Sequence, residues 1–100
     1  MAFVVEEVYR RPNTQAPWWR GQSVHKRELA QRAIAAGDLV AEFLGQTDDP
    51  LVAKYEAIWQ DRAAWEKWVG NDPQTKAYND MITAYHDKFG IVCERREYYL

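Results

Sequence analysis

The stretch VAKYEAIWQDRAAWEKW, Val52 to Trp68, limits what this chain can fold into more than any other. Its first half alternates. Ala53, Tyr55, Ala57 and Trp59 fall on one side of an extended segment and Lys54 and Glu56 on the other, because successive strand side chains point to opposite faces. After Gln60 the period becomes helical. Ala64, Trp65, Trp68 and Val69 recur at that spacing, and Asp61 stands where a capping side chain would accept a backbone N–H. A strand ending on Trp and a helix bearing two more gather aromatic area at one point. Each such ring buries roughly 150–250 Å² when enclosed, so this corner is predicted to anchor the core.

Ala2 to Arg11 reads as the first strand, stopped by Pro12. PNTQAPWWRGQ, Pro12 to Gln22, is then a loop of about ten residues, against the usual 2–6 for a strand-to-helix connection. Long loops often carry function. Trp18 and Trp19 either fold back as a lid on the core or stay exposed to dock a partner. Ser23 can cap a helix running to Ala36, with Leu29, Ala30, Ala33 and Ile34 as its stripe and Gly37 as its stop. His25 lies at the edge of that stripe. Asp38 to Gly45 is the second strand, with Leu39, Ala41 and Phe43 on one face and Val40, Glu42 and Leu44 on the other. QTDDP is turn chemistry. The helix entered at Asp61 breaks at Gly70 and restarts at Asp72-Pro73. Tyr78, Met81, Ile82, Tyr85 and Phe89 form its new stripe, with His86 beside it in solvent. Gly90 closes the helix, and Ile91 to Leu100 is the last strand.

The order β-α-β-β-α-β is the ferredoxin-like one: an α+β fold with a four-stranded antiparallel sheet and helices on one face, as a single domain over residues 1–100. Phe3, Val5, Tyr9, Leu39, Tyr55, Trp59, Cys93 and Tyr99 are among those predicted beneath the helices. Val4, Val8, Val40, Leu44, Ile58 and Val92 share the opposite face with Glu6, Lys54, Glu56 and Arg96. A face that only met water would not need those valines and leucines, and one that met only core would not carry the charges. A face-to-face homodimer satisfies both.

Composition narrows the partners. With 47% hydrophobic and 28% charged residues, the chain is globular and not disordered. Its formal charge of −2 shows no basic excess, so nucleic acid and membrane surfaces are not expected partners. A lone cysteine, Cys93, cannot form an internal disulfide or a thiolate metal site, and is expected as a small buried hydrophobe. The apolar run at MAFVVEE is too short for a signal peptide or membrane span, which points to the cytoplasm. There is no glycine-rich phosphate loop, Ser/His/Asp set or nucleotide fingerprint. His25 and His86 sit on different helices, His25 with Glu28 three residues on and His86 with only Asp87 beside it. No metal and no cofactor are expected.

IWQDRAAWEKW, with an aromatic strand end, a short polar turn and a helix opening on Ala and Trp, is similar to the dimeric α/β-barrel superfamily, nearest its antibiotic-biosynthesis-monooxygenase type. The break NDPQTKAY and the final strand after FGIV share the resemblance, which covers most of the chain. It implies a dimeric α/β barrel with a ligand between sheet and helices. Members include cofactor-free oxygenases of aromatic polyketides, haem-degrading enzymes, lactone isomerases and proteins without known activity.

In a cavity so placed, Glu7 and Arg95 would be the charges on the helix-facing part of the first and last strands, which are neighbours in this fold. Tyr9, Tyr55, Trp59 and Tyr85 would stand around them. A carboxylate beside a guanidinium among aromatic walls can orient a planar polar ligand. Glu7 would serve as a base if burial raised its pKa. The plainer reading of Glu7 and Arg95 is a structural cross-strand pair, and no catalytic residue is assigned. Two functions are consistent with these features. One is a homodimeric small-molecule-binding protein, a cofactor-independent monooxygenase or isomerase of an aromatic or apolar organic substrate. The other is a non-enzymatic interaction or assembly protein, viral among others, docking a partner through Trp18 and Trp19.

Overall fold

Runs of β-branched and aromatic residues form four strands: β1 (Phe3–Arg10), β2 (Leu39–Gln46), β3 (Val52–Trp59) and β4 (Val92–Tyr99). The computed structural model describes residues 1–100 throughout. The helical segments are α1 (Val24–Ala35), α2 (Arg62–Trp65), a π turn (Glu66–Gly70) and α3 (Pro73–Lys88). Each α-helix starts on a side-chain cap. Ser23 accepts from the Lys26 N–H, Asp61 from Ala64 and Asp72 from Thr75, satisfying amides with no intrahelical partner. Gly37 and Gly90 come after α1 and α3 at φ of 77° and 72°, a conformation that side chains with a Cβ resist. No helix is long and apolar enough to cross a membrane.

The strands form one antiparallel sheet in the order β2-β3-β1-β4, the ferredoxin-like βαββαβ arrangement. Register sets its side chains out in rows. Leu39, Trp59, Phe3 and Tyr99 cross the sheet together on the helical face. Two residues along lie Glu42, Ala57, Val5 and Glu97. The third row is Leu44, Tyr55, Glu7 and Arg95, and the fourth is Gln46, Ala53, Tyr9 and Cys93. The first rows are core: Phe3, Val5, Leu39, Ala57 and Trp59 pack with Ala33 and Ala64 as one buried cluster, flanked by Trp65, Trp68 and Val69. The corner after β3 does anchor it, with Trp59 only 2% exposed. The last rows carry polar groups and small residues and lie outside that cluster.

Two sequence expectations fail in instructive ways. In β2, Leu39 pairs with Trp59 but Ala41 pairs with Ile58, so the chain takes an extra residue at Val40. A one-residue slip exchanges faces for everything after it. Glu42 and Leu44 therefore lie on the helical side, while Ala41 and Phe43 lie on the underside, the reverse of strict alternation. In α3 the inward face is turned by about one residue from the expected stripe. Thr75 and His86 are its buried residues, whereas Met81 is 48% exposed. His86, expected in solvent, is 8% exposed.

On the underside the charges neutralise one another within the chain. Glu6, 7% exposed at the centre of the sheet, accepts from Arg96 at 2.7 and 3.0 Å and faces Lys54 at 3.2 Å. Lys54 also meets Glu56 at 3.3 Å. These donors hold the Glu6 carboxyl below its usual range, the Arg96 bond contributing most and the Lys54 bond next.

Candidate active-site cleft

α3 packs along α1 and the π turn. The space beneath its C-terminal half is a cleft of about 840 Å³, within the range of small-molecule sites. β1 supplies Glu7 and Tyr9 to its floor, β3 Ala53 and Tyr55, and β4 Cys93 and Arg95. Ala53 leaves room where a larger side chain would have filled it. α3 supplies Asn79, Ile82, Thr83 and His86, and the long loop brings Trp18, Trp19 and Arg20 to the side.

Glu7 is the hub. Its Oε2 accepts from the Tyr9 hydroxyl and lies 3.6 Å from the Cys93 thiol, while Oε1 lies 3.6 Å from Arg95 Nη1. Arg95 is held from its other side by Glu97 at 2.8 Å, and its guanidinium lies over the Trp65 ring at 5.6 Å. Burial, and then the Glu7 carboxylate, push the Tyr9 phenol far above its ordinary range, so it remains a neutral donor. Tyr55 behaves alike: burial and then Glu42, to which its hydroxyl donates at 2.8 Å, raise its pKa. The bulge makes that bond possible by turning Glu42 to the helical side.

Cys93 is not the buried hydrophobe expected. It is exposed on edge strand β4 with its thiol toward the cleft. Burial of the thiol and the nearby Glu7 push its pKa up to about 11, leaving it protonated and a poor nucleophile. Above the floor, the His86 ring meets Tyr9 edge-on at 5.1 Å. Burial lowers its pKa, while the Asp87 and Glu7 carboxylates oppose that shift, so the imidazole is neutral near pH 7. Lys26, reaching in from the first turn of α1, donates to Asn79 Oδ1 at 2.9 Å.

Of the residues picked out from the sequence, Glu7, Tyr9, Tyr55 and Arg95 share the cleft. Trp59 does not: it belongs to the core and walls a separate void of about 30 Å³. Tyr85 also lies outside, donating to the Pro17 carbonyl at 3.2 Å and packing on Trp19 and Phe89. Trp18 donates to Gln46 at 2.8 Å, and Trp19 to the Tyr78 hydroxyl at 3.0 Å. Both indoles thus fold back as a wall of the cleft. His86 reads as solvated and Lys26 goes unnoticed in the sequence, since the placement of both depends on helix phase. No group of three His, Cys, Asp or Glu side chains is arranged to hold a metal ion.

No protein-family model matches the sequence, and no curated protein matches it. Solved structures do match its fold. A mutant of SnoaB, a cofactor-independent oxygenase from Streptomyces nogalater, superposes with a TM-score of 0.58 at 12% identity, over 99% of this chain and 92% of that one. The SnoaB structure without that mutation gives 0.57 at 13% identity, with the same coverage. An antibiotic biosynthesis monooxygenase gives 0.53 at 17% identity over the whole of both chains. The expected likeness to the antibiotic-biosynthesis-monooxygenase type therefore holds in the fold.

Proposed function

We propose that this protein is a homodimer that takes a planar aromatic molecule into the cleft beneath α3 and acts on it as a cofactor-independent oxygenase. The observation that carries this reading is the polar hub in a cleft flanked by Tyr55, Trp18 and Trp19, with Glu7 joined to Tyr9, Cys93 and Arg95. A carboxylate so placed can take a proton from an electron-rich phenolic ring. Arg95, and the Tyr9 hydroxyl once protonation of Glu7 releases it, can then stabilise the charge that develops on the ring oxygen. The deprotonated ring is itself the reductant for O₂. One oxygen atom becomes a ring carbonyl and the other leaves as water with the two hydrogens lost in forming the quinone. The fold shared with the cofactor-independent oxygenase SnoaB supports this. So does the inward engagement of Trp18 and Trp19, which favours a cleft wall over partner docking. Homodimerisation is supported by Phe43 and Val92, 54% and 58% exposed on the underside.

The test is oxygen uptake in chelator-treated buffer with anthrone, a tricyclic ring system that enolises to a phenol. The expected result is one O₂ consumed per molecule converted to quinone, with Glu7→Gln slowing it by about 10²-fold or more. Uptake no faster than in buffer would sink the oxygenase reading, and full activity in Glu7→Gln would remove Glu7 from the chemistry.

A further inference from the structure

Two cations of the cleft lining, Arg20 and Lys26, have no carboxylate within 4.0 Å; Arg20 is exposed, whereas Lys26 is half-buried. Glu7 is shared among Tyr9, Cys93 and Arg95, and Arg95 has Glu97 as well. The Lys26 ammonium has a neutral acceptor, Asn79 Oδ1, and lies over the Tyr78 ring at 5.4 Å, with no carboxylate within 4.0 Å. A charge drawn into a protein without a counter-charge is unfavourable, and an ammonium with one acceptor has two N–H donors left over. Its position sharpens the point. Lys26 lies in the first turn of α1, which contains no acidic residue, at the positive end of the helix dipole. Asp72, which reaches that helix end from the start of α3, is already committed to His25 at 2.7 Å and to Thr75. The cleft lining holds three cations (Arg20, Lys26, Arg95) against two carboxylates (Glu7, Asp87), a net +1 in a chain whose total is −2. That local excess draws anions inward.

Resting on the cleft reading above, we propose that the ligand is an aromatic carboxylate and that Lys26 is the residue that recognises its carboxylate. The ring occupies the aromatic part of the cleft and the carboxylate supplies the missing counter-ion. Burial already pulls the lysine's pKa down, with Glu7 and Glu42 opposing from a distance, as befits an ammonium lacking a close carboxylate.

The test compares 1-naphthoate with its neutral analogue 1-naphthalenemethanol by isothermal titration calorimetry. The expected result is that the protein binds the carboxylate at least about 10-fold more tightly, as a charge-assisted hydrogen bond provides. Lys26→Met should abolish the preference. Lys26→Arg and Arg20→Gln should retain it. Equal binding of the two probes would overturn the proposal and leave the cleft reading standing. So would a preference that survives Lys26→Met or disappears in Arg20→Gln. Failure of both probes to bind would overturn the cleft reading along with it.

Discussion

A histidine packed under a helix, as His86 is at 8% exposure, stays neutral only while the solution is not acidic enough to charge it. Its pKa in the folded protein is depressed, chiefly by burial, below the unfolded value of about 6.5. Between those two values the unfolded chain binds the extra proton. Stability contributed by the neutral ring is therefore present above about pH 6.5 and declines as pH falls through that value, levelling off below the folded pKa. Glu6 and Asp72 also have lowered pKa values, but their contributions fade only at lower pH, beneath the ordinary carboxylate range. The expected outcome is a melting temperature that drops between pH 7.5 and 5.5 and a smaller drop in His86→Gln; identical profiles would mean the ring titrates freely. At this scale strand residues were easier to read than helical ones. Strict two-residue alternation placed Glu7, Tyr9, Tyr55 and Arg95 on the correct face. His86 was misplaced because turning α3 by one residue moves a side chain by about 100° of the 3.6-residue turn.

At the scale of elements, the bulge in β2 does most to shape the cleft. It brings Glu42 to Tyr55 and lays Leu44 and Gln46 along the cleft. Deleting Val40 removes the surplus residue and restores regular alternation while the rest of β2 keeps its faces. The expected melting temperature lies within about 5 °C of the parent, corresponding to roughly 1 kcal/mol for a domain of this size. Deleting Glu56 from β3 is the contrast. It turns either Val52 through Tyr55 or Ala57 through Trp59 to the wrong side and should abolish cooperative melting. Similar behaviour in the two deletions would show that register is not what holds this sheet. The strands, caps and stops were legible because each rests on local chemistry: Ser23, Asp61 and Asp72 at helix starts, Gly37 and Gly90 at helix ends. The bulge was not. LVAEFLG alternates equally well in either phase, and only the row Leu39–Trp59–Phe3–Tyr99 chooses between them.

For the whole molecule, the proposed pairing rests on the underside of the sheet. Its ionic groups are satisfied within the chain, Glu6 and Glu56 with Lys54 and Arg96, so covering them leaves none without a counter-ion. Around them stand Phe43 and Val92, both more than half exposed. A stable pairing covers roughly 800 Å² on each partner. The expected outcome is sedimentation at twice the monomer mass at micromolar concentration, and at the monomer mass once Phe43→Asp and Val92→Asp are combined. A monomeric parent would exclude the pairing. The order of elements, the helix limits and the aromatic anchor at Trp59 were determined by the sequence alone, because each depends on residues a few positions apart. The cleft, the inward turn of His86 and Lys26 and the exchange of faces along β2 were decided only by tertiary structure. They depend on how far α3 stands off the sheet and on which strand row meets which, and both are set by packing between residues distant in the chain.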